Sequence, residues 1–361
     1  MKCLLAAMGP GEVAHAQALG RHLHTQGFAV TLAVVQATNM NFIKSDRDKF
    51  TIAFTPTPGS LVAQLQLHTP DVLVLCNSKI WRKNDLFRET PPPNKPLTVC
   101  FDTFWLFDRA KFPGFPFVTW ADRYLIGFPP KIFELGLEEN GGNFTIEKSV
   151  REKLEPVGFV PSYEPPSSET RENIRKTFQL KEDEKLIFLY ASGRGADHRP
   201  WVIEKLLGSV RQLRSRGKNT RVLYLGPPLS QPVPPWVTEK TFIDDFYGAL
   251  AASDLVFQHH GMGTLAQAIA AQIPVIANAD IPGHPTIPEQ HIWELSPLAR
   301  AGTCFMETKL TPLSETTTSV DTLLYNEEAR KRMQAAQAKH FVPGEPNAYQ
   351  AIMKLMSAQP G

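Results

Sequence analysis

At 361 residues with 42% hydrophobic content, the chain is long enough to fill two cores of about 150 to 190 residues each. Its formal net charge of +2, without a Lys/Arg run or basic stripe, argues against nucleic-acid binding, so any basic surface is local. The four cysteines, Cys3, Cys76, Cys100 and Cys304, form no C-x-x-C or Cys/His cluster, which argues against both a disulfide framework and structural zinc.

Strand and helix patterns alternate along the chain, predicting an α/β fold with parallel sheets covered by helices. The first strand is expected at 2–8. Its apolar run is short and leads into Gly9-Pro10-Gly11 and a polar helix, so it reads as core rather than as a signal peptide. Further strands are expected near 29–35, 51–54, 71–76, 97–101 and 123–127, with helices near 12–26, 59–68 and 80–88. Pro91 to Pro96 reads as a rigid surface loop, and Glu155 to Ser168 as an interdomain linker. The second half restarts with strand 185–191, helix 199–216, strands 220–225 and 240–243, helix 246–252, strand 254–258, helix 264–272 and strand 274–278. Helices near 289–300, 315–323, 326–340 and 346–357 finish it. No run of about 18 apolar residues is present to cross a bilayer. The expected location is the cytoplasm, where the Asn143-Phe144-Thr145 sequon has no role.

Three segments carry chemistry. In Phe242 to Pro274, a strand over Leu255-Val256-Phe257 runs through His259-His260-Gly261-Met262-Gly263 into an Ala-rich helix from Thr264. The unpaired first amides of that helix, with about half a positive charge from its dipole, favour an anion such as a diphosphate. Gly261 and Gly263 allow close approach and Thr264 offers a hydroxyl. An ordinary strand-to-helix turn with two surface histidines is the alternative.

The turn Gly9-Pro10-Gly11-Glu12-Val13-Ala14-His15 likewise follows a strand and opens a helix. Gly9-x-Gly11-x-x-Ala14 formally satisfies a dinucleotide fingerprint, but Val35-Gln36-Ala37-Thr38 at the second strand's end lacks the acidic residue an NAD-dependent dehydrogenase wants. Finally, Phe101 to Trp120 holds eight aromatics in twenty residues with Arg109 and Lys111 among them, too many for a solvated loop. They close the domain, stack on a flat or sugar acceptor, or touch a membrane surface.

These motifs resemble the nucleotide-sugar site of GT-B glycosyltransferases, especially the peptidoglycan N-acetylglucosaminyltransferase and the UDP-glycosyltransferases. Phe242-Ile243-Asp244-Asp245 and Ser253-Asp254-Leu255-Val256 are similar to the first. His259-x-Gly261-x-x-Thr264-x-x-Gln267 with Pro274 is similar to the second, with Gln267 where that family carries Glu. The resemblance implies a GT-B fold, two Rossmann-like domains with parallel sheets facing across a cleft. It implies an acceptor domain over 1–160, a nucleotide-sugar domain over 161–342, and a last helix over 343–361 returning to the first domain.

It also implies an inverting, metal-independent transfer from a UDP-sugar to a hydroxyl acceptor, lipid-linked, glycan or aromatic, with the UDP-sugar as co-substrate and no other cofactor. His259 and Gln267 stand where the largest retaining family has two glutamates, which favours inversion. On the donor side, Ser192, Gly193, Arg194, Gly195, His259, His260, Gly261, Met262, Gly263 and Thr264 would hold the diphosphate. Ile243 and Gln267 would meet the nucleoside, and Glu289 and Gln290 the sugar; His291 replaces the second Gln of that last motif.

The first turn resembles G-x-x-G-H-x-x-P, with Gly11 as the second glycine, Glu12 in place of the family's base His and His15 in place of Pro. Glu12 is the first candidate for base, since a desolvated carboxylate can remove the acceptor's proton; a first-turn acid that answers the helix dipole is its structural alternative. His15 is the second candidate. Asp102, in Asp102-Thr103-Phe104, is the third, either orienting His15 or acting as base itself. Peripheral membrane contact through 101–120 belongs to the same reading. Three alternatives stay open: a GT-B-like nucleotide-sugar-binding protein that lost its base, a sugar-nucleotide epimerase, for which no T-E-R-P-E-like segment is seen, and the dehydrogenase.

Overall fold

The computed structural model describes residues 1–7, 9–34, 43, 46, 48–55, 58–76, 91, 94–102, 120–139, 151–161, 167–191, 200–229, 232–243, 245–280 and 288–358. The chain divides into two compact units, Met1–Ser162 with Val342–Gly361, and Tyr163–Phe341. Among the described residues no helix is long and apolar enough to cross a membrane.

The first unit runs β1 (Lys2–Ala7), α1 (Pro10–Thr25), β2 (Ala29–Val34), β3 (Thr51–Phe54), α2 (Pro58–His68), β4 (Val72–Cys76), β5 (Leu97–Asp102), β6 (Arg123–Ile126), α3 (Pro130–Glu139) and β7 (Leu154–Pro156). Its seven strands lie in the order β3-β2-β1-β4-β5-β6-β7, all parallel. β4 and β5 are buried from end to end, and β1 and β2 from their second residue. Such unbroken apolar runs are the mark of strands covered on both faces.

The second unit runs α4 (Ser168–Thr177), β8 (Lys185–Tyr190), α5 (Pro200–Ser215), β9 (Thr220–Leu225), β10 (Val237–Lys240), α6 (Phe246–Ala251), β11 (Leu255–His259), α7 (Met262–Ala270), β12 (Val275–Ala279), α8 (Pro288–Arg300), β13 (Phe305–Thr308), α9 (Leu313–Tyr325) and α10 (Glu327–His340). Its six strands are parallel in the order β10-β9-β8-β11-β12-β13. In each sheet the strand order reverses once, between β1 and β4 and between β8 and β11. Ligands of open α/β sheets bind outside the carboxyl ends of the strands at such a reversal.

Several predicted boundaries move. The strand expected at 240–243 is Val237–Lys240, because Val237 packs inward whereas Phe242 is 52% exposed. α7 begins at Met262 and α1 at Pro10, where a proline at the first helical position loses no hydrogen bond. Glu155 and Pro156, read as linker, form the edge strand β7, where proline's missing N–H is tolerated, and Val157, Phe159 and Val160 beyond them are buried. The short elements α3, α4 and β13 are additions to the predicted set. The helix expected at 80–88 and most of the aromatic segment, 103–119, lie outside the described residues.

The final helix, α11 (Gly344–Ala358), packs in the first unit: Ala348, Ala351 and Ile352 join the buried cluster of Leu5, Leu19, Leu32 and Val99. The chain re-enters that unit through a close crossing in which Phe159 N donates to Val342 O at 2.8 Å and Gly344 N to Phe159 O at 2.6 Å. Gly158 makes the crossing possible. It has φ +112°, and a Cβ there would meet Val342 O at 2.3 Å. Gly158→Ala should therefore lower stability by about 1 to 3 kcal/mol in urea denaturation, through backbone strain plus displacement of Val342. Gly217→Ala is expected to cost less, because Gly217 has φ +78° but open space around it.

Candidate functional site

In the second unit the strand-to-helix turn is built as expected, with one shift. β11 ends on buried His259, His260 N donates to Asn278 O at 2.9 Å, and Gly261 caps α7 in an extended conformation without a side-chain cap. Met262, Gly263 and Thr264 are thus the first three helical residues, and their amides point out of the sheet's carboxyl end. A Cβ on Gly263 would meet nothing within 4 Å and one on Gly261 only ordinary contacts. Among the described residues, the space over these glycines is clear, as an approaching anion would require.

Around His259 the structure assembles a polar nest. His259 and Asp280 are 4% and 2% exposed, and Glu294 is fully buried. His259 Nε2 lies 3.3 Å from Asp280 Oδ1, and His291 Nδ1 lies 3.6 Å from Asp280 Oδ2. His260 Nε2 donates to Glu294 Oε2 at 2.5 Å, and the His260 ring stacks on His291 with centroids 4.0 Å apart. Asp280 and Glu294 belong to no motif in the sequence. The signals that could have found them are positional: Asp280 directly follows β12 at the sheet's functional end, and Glu294 is one helical turn beyond His291.

Other donor-side candidates separate. Gln267 is buried in α7, and Ile243 is half-buried just beyond β10. Asp245 is the N-cap of α6, its Oδ1 accepting from Gly248 N at 2.8 Å, and Asp254 accepts from Arg175 Nη1 at 3.1 Å and Leu186 N at 2.9 Å. Those two aspartates of the family-like motifs hold the fold together. Glu289 and Gln290 lie in the first turn of α8. Ser192, Gly193, Arg194 and Gly195 lie outside the described residues.

In the first unit all three base candidates come to the carboxyl end of the sheet. Glu12 is the third residue of α1, and its carboxylate folds back over the helix start, where a Cβ on Gly9 would meet Glu12 Oε2 at 2.3 Å. A Cβ on Gly11 would meet nothing within 4 Å. Asp102 is 3% exposed at the end of β5. Burial, then Glu12, then Asp102 push the Cys76 thiol far above its ordinary pKa, which places both carboxylates near the end of β4.

His15 packs on Phe101 with ring centroids 5.4 Å apart, and its Nδ1 is 3.0 Å from Val160 O. A carbonyl only accepts, so Nδ1 carries the proton and Nε2 keeps its lone pair. Val160 O holds the ring through Nδ1. Burial lowers the His15 pKa, against smaller opposing effects of the Val160 bond and the Glu12 charge, so the imidazole is neutral near pH 7.

No protein-family model matches the chain, and no curated protein matches it by sequence. Solved structures do. The Staphylococcus aureus MnaA–UDP complex superposes with a TM-score of 0.69 at 14% identity, covering 100% of this chain and 99% of that one. A Listeria monocytogenes protein provisionally named a UDP-N-acetylglucosamine 2-epimerase gives 0.68 at 14% identity, covering 100% and 97%. The spinosyn forosaminyltransferase SpnP gives 0.64 at 11% identity, covering 99% and 98%. The chain has the GT-B fold. At these identities the likeness is one of architecture, and the residues at the strand ends carry the functional argument.

Within this GT-B fold, His15 gives a pH signature. Its folded-state pKa is lowered by burial, whereas the unfolded imidazole titrates near pH 6.5, so the unfolded chain binds the extra proton first. The stabilising contribution of neutral His15 should be complete above about pH 6.5 and fall as the pH drops below it. Urea denaturation between about pH 5 and 7.5 should show this loss, and His15→Gln, which keeps a donor for Val160 O, should flatten it.

Proposed function

We propose that this protein is a glycosyltransferase that moves a sugar from a UDP-sugar to a hydroxyl acceptor with inversion at the anomeric carbon. The observation that carries the reading is His15: a neutral imidazole whose Nδ1–H is committed to Val160 O and whose Nε2 is the basic atom, at the carboxyl end of a GT-B sheet. Nε2 takes the acceptor's proton as the acceptor oxygen bonds to the anomeric carbon, and the bond from that carbon to the diphosphate oxygen breaks. The negative charge that grows on the departing diphosphate is met by the amides and dipole of α7. Gln267, buried near the start of α7, is assigned to the ribose, and Ile243 to the base. The order of the base candidates is thereby changed, because Glu12 lies over its own helix start, where it serves α1.

The eight aromatics that the sequence holds over 101–120 suit a lipid-linked or aromatic acceptor and a cytoplasmic protein in peripheral contact with a membrane. A second reading, a sugar-nucleotide epimerase, is favoured by the fold shared with the Listeria protein. It differs in needing no acceptor. Incubation of UDP-N-acetylglucosamine with the protein alone, followed by NMR, separates the two: an epimerised product supports the second reading, and an unchanged donor the first.

Calorimetry and thermal shift against UDP, TDP, GDP, NAD and UDP-sugars should show binding by UDP species alone; a response to NAD, or to none of them, would overturn the donor assignment. Gly263→Ala should leave the free protein as stable or up to about 1 kcal/mol more stable, since alanine is the better helix former. The same methyl group should weaken UDP binding at least about tenfold, an effect of about 1.4 kcal/mol. In turnover assays His15→Ala should lower kcat by about 10² or more with little change in donor KM. Glu12→Gln should stay within a few-fold of the parent; the opposite pattern returns the base to Glu12.

A further inference from the structure

We infer that His259, Asp280 and His291 form a binding site for a divalent transition-metal ion at the carboxyl ends of β11 and β12. One ring nitrogen from each histidine and one carboxylate oxygen all lie within 4.8 Å of one another. The two nitrogen-to-oxygen separations, 3.3 and 3.6 Å, are long for charge-assisted hydrogen bonds, which close to about 2.7 to 2.9 Å. The two nitrogens face different oxygens of the Asp280 carboxylate, so an ion bonded at about 2.0 to 2.2 Å would take one of those oxygens or sit between both. The Asp280 amide also lies 3.5 Å from His291 Nδ1, at the far limit of a hydrogen bond.

The surroundings are those of a metal ligand set. His291 is clamped by the stacked ring of His260, which buried Glu294 holds in turn. The edge of Trp201 lies against His259, with ring centroids 6.4 Å apart. Outer partners of this kind fix the orientation of ligating imidazoles. Two imidazoles and one carboxylate select zinc, cobalt or manganese over magnesium and calcium, which want oxygen ligands. Three protein ligands leave a coordination position open. If the donor assignment above holds, a diphosphate oxygen at the start of α7, two residues beyond His259, fills that position, and donor binding becomes metal-assisted in place of the metal independence implied by the family resemblance. The metal site itself does not depend on that assignment.

The test is calorimetric titration of the metal-stripped full-length protein with zinc chloride, with magnesium chloride as control and cobalt absorption as a readout of ligand type. The expected result is one zinc per chain, no comparable magnesium binding, and a cobalt spectrum of low-symmetry nitrogen and oxygen ligation. Asp280→Asn and His291→Ala, checked for folding by circular dichroism, should each weaken zinc by at least about 100-fold, while His24→Ala on the exposed face of α1 should not. Should Asp280→Asn fail to fold, the half-buried His291 position decides. Absence of saturable zinc binding by the parent, or binding that survives His291→Ala, overturns the site. Repeating the titration with UDP separates the two claims: zinc without UDP binding keeps the metal site and removes the donor reading, and UDP without zinc does the reverse.

Discussion

A strand paired on both sides and covered on both faces can present chemistry only where it ends. The central strands β1, β4 and β5 of one sheet and β8, β11 and β12 of the other are in that position, with nearly every residue buried and both edges taken up by parallel neighbours. The candidate groups of each unit therefore stand at or just past a strand terminus: Asp102 at the end of β5, His259 at the end of β11, Asp280 one residue after β12. Glu12 and His15 follow β1 in the opening turns of α1. The single reversal of strand order in each sheet leaves a gap between neighbouring crossover helices at those termini.

Residues of the same type divide between chemistry and architecture according to what surrounds them. Asp245 and Asp254 both fall in segments similar to a sugar-nucleotide motif, and both are consumed by the backbone: one caps α6, the other joins α4, β8 and β11 through Arg175 and Leu186 N. Asp280, outside every motif, faces two imidazoles. Glu12 and His15 differ in the same way. The carboxylate lies over the start of α1, at the positive end of its dipole, whereas the imidazole has one nitrogen fixed by a carbonyl and the other left basic.

Much of this was legible in the chain because it rests on local patterns. Buried parallel strands announce themselves as short apolar runs such as Leu73 to Cys76 and Val275 to Ala279, and glycine-bearing turns such as 9–11 and 261–263 mark where they feed helices. Elements with weak local signals were less visible. β7 and β13 are edge strands of three and four residues with partly exposed faces, and α3 begins inside a Phe-Pro-Pro segment that reads as a loop.

The order of residues along the chain was enough to establish the alternation of strands and helices, the class of fold and the two glycine-bearing turns that join a strand end to a helix start, since each depends on neighbours within about one element. The tautomer of His15 depends on Val160, 145 residues away, and the nest around Asp280 depends on a strand end, the residue after another strand and the second turn of a helix. Contacts of that separation are set by sheet order and by how helices pack back onto the sheet. No periodicity or spacing encodes them, so they emerged from the folded chain.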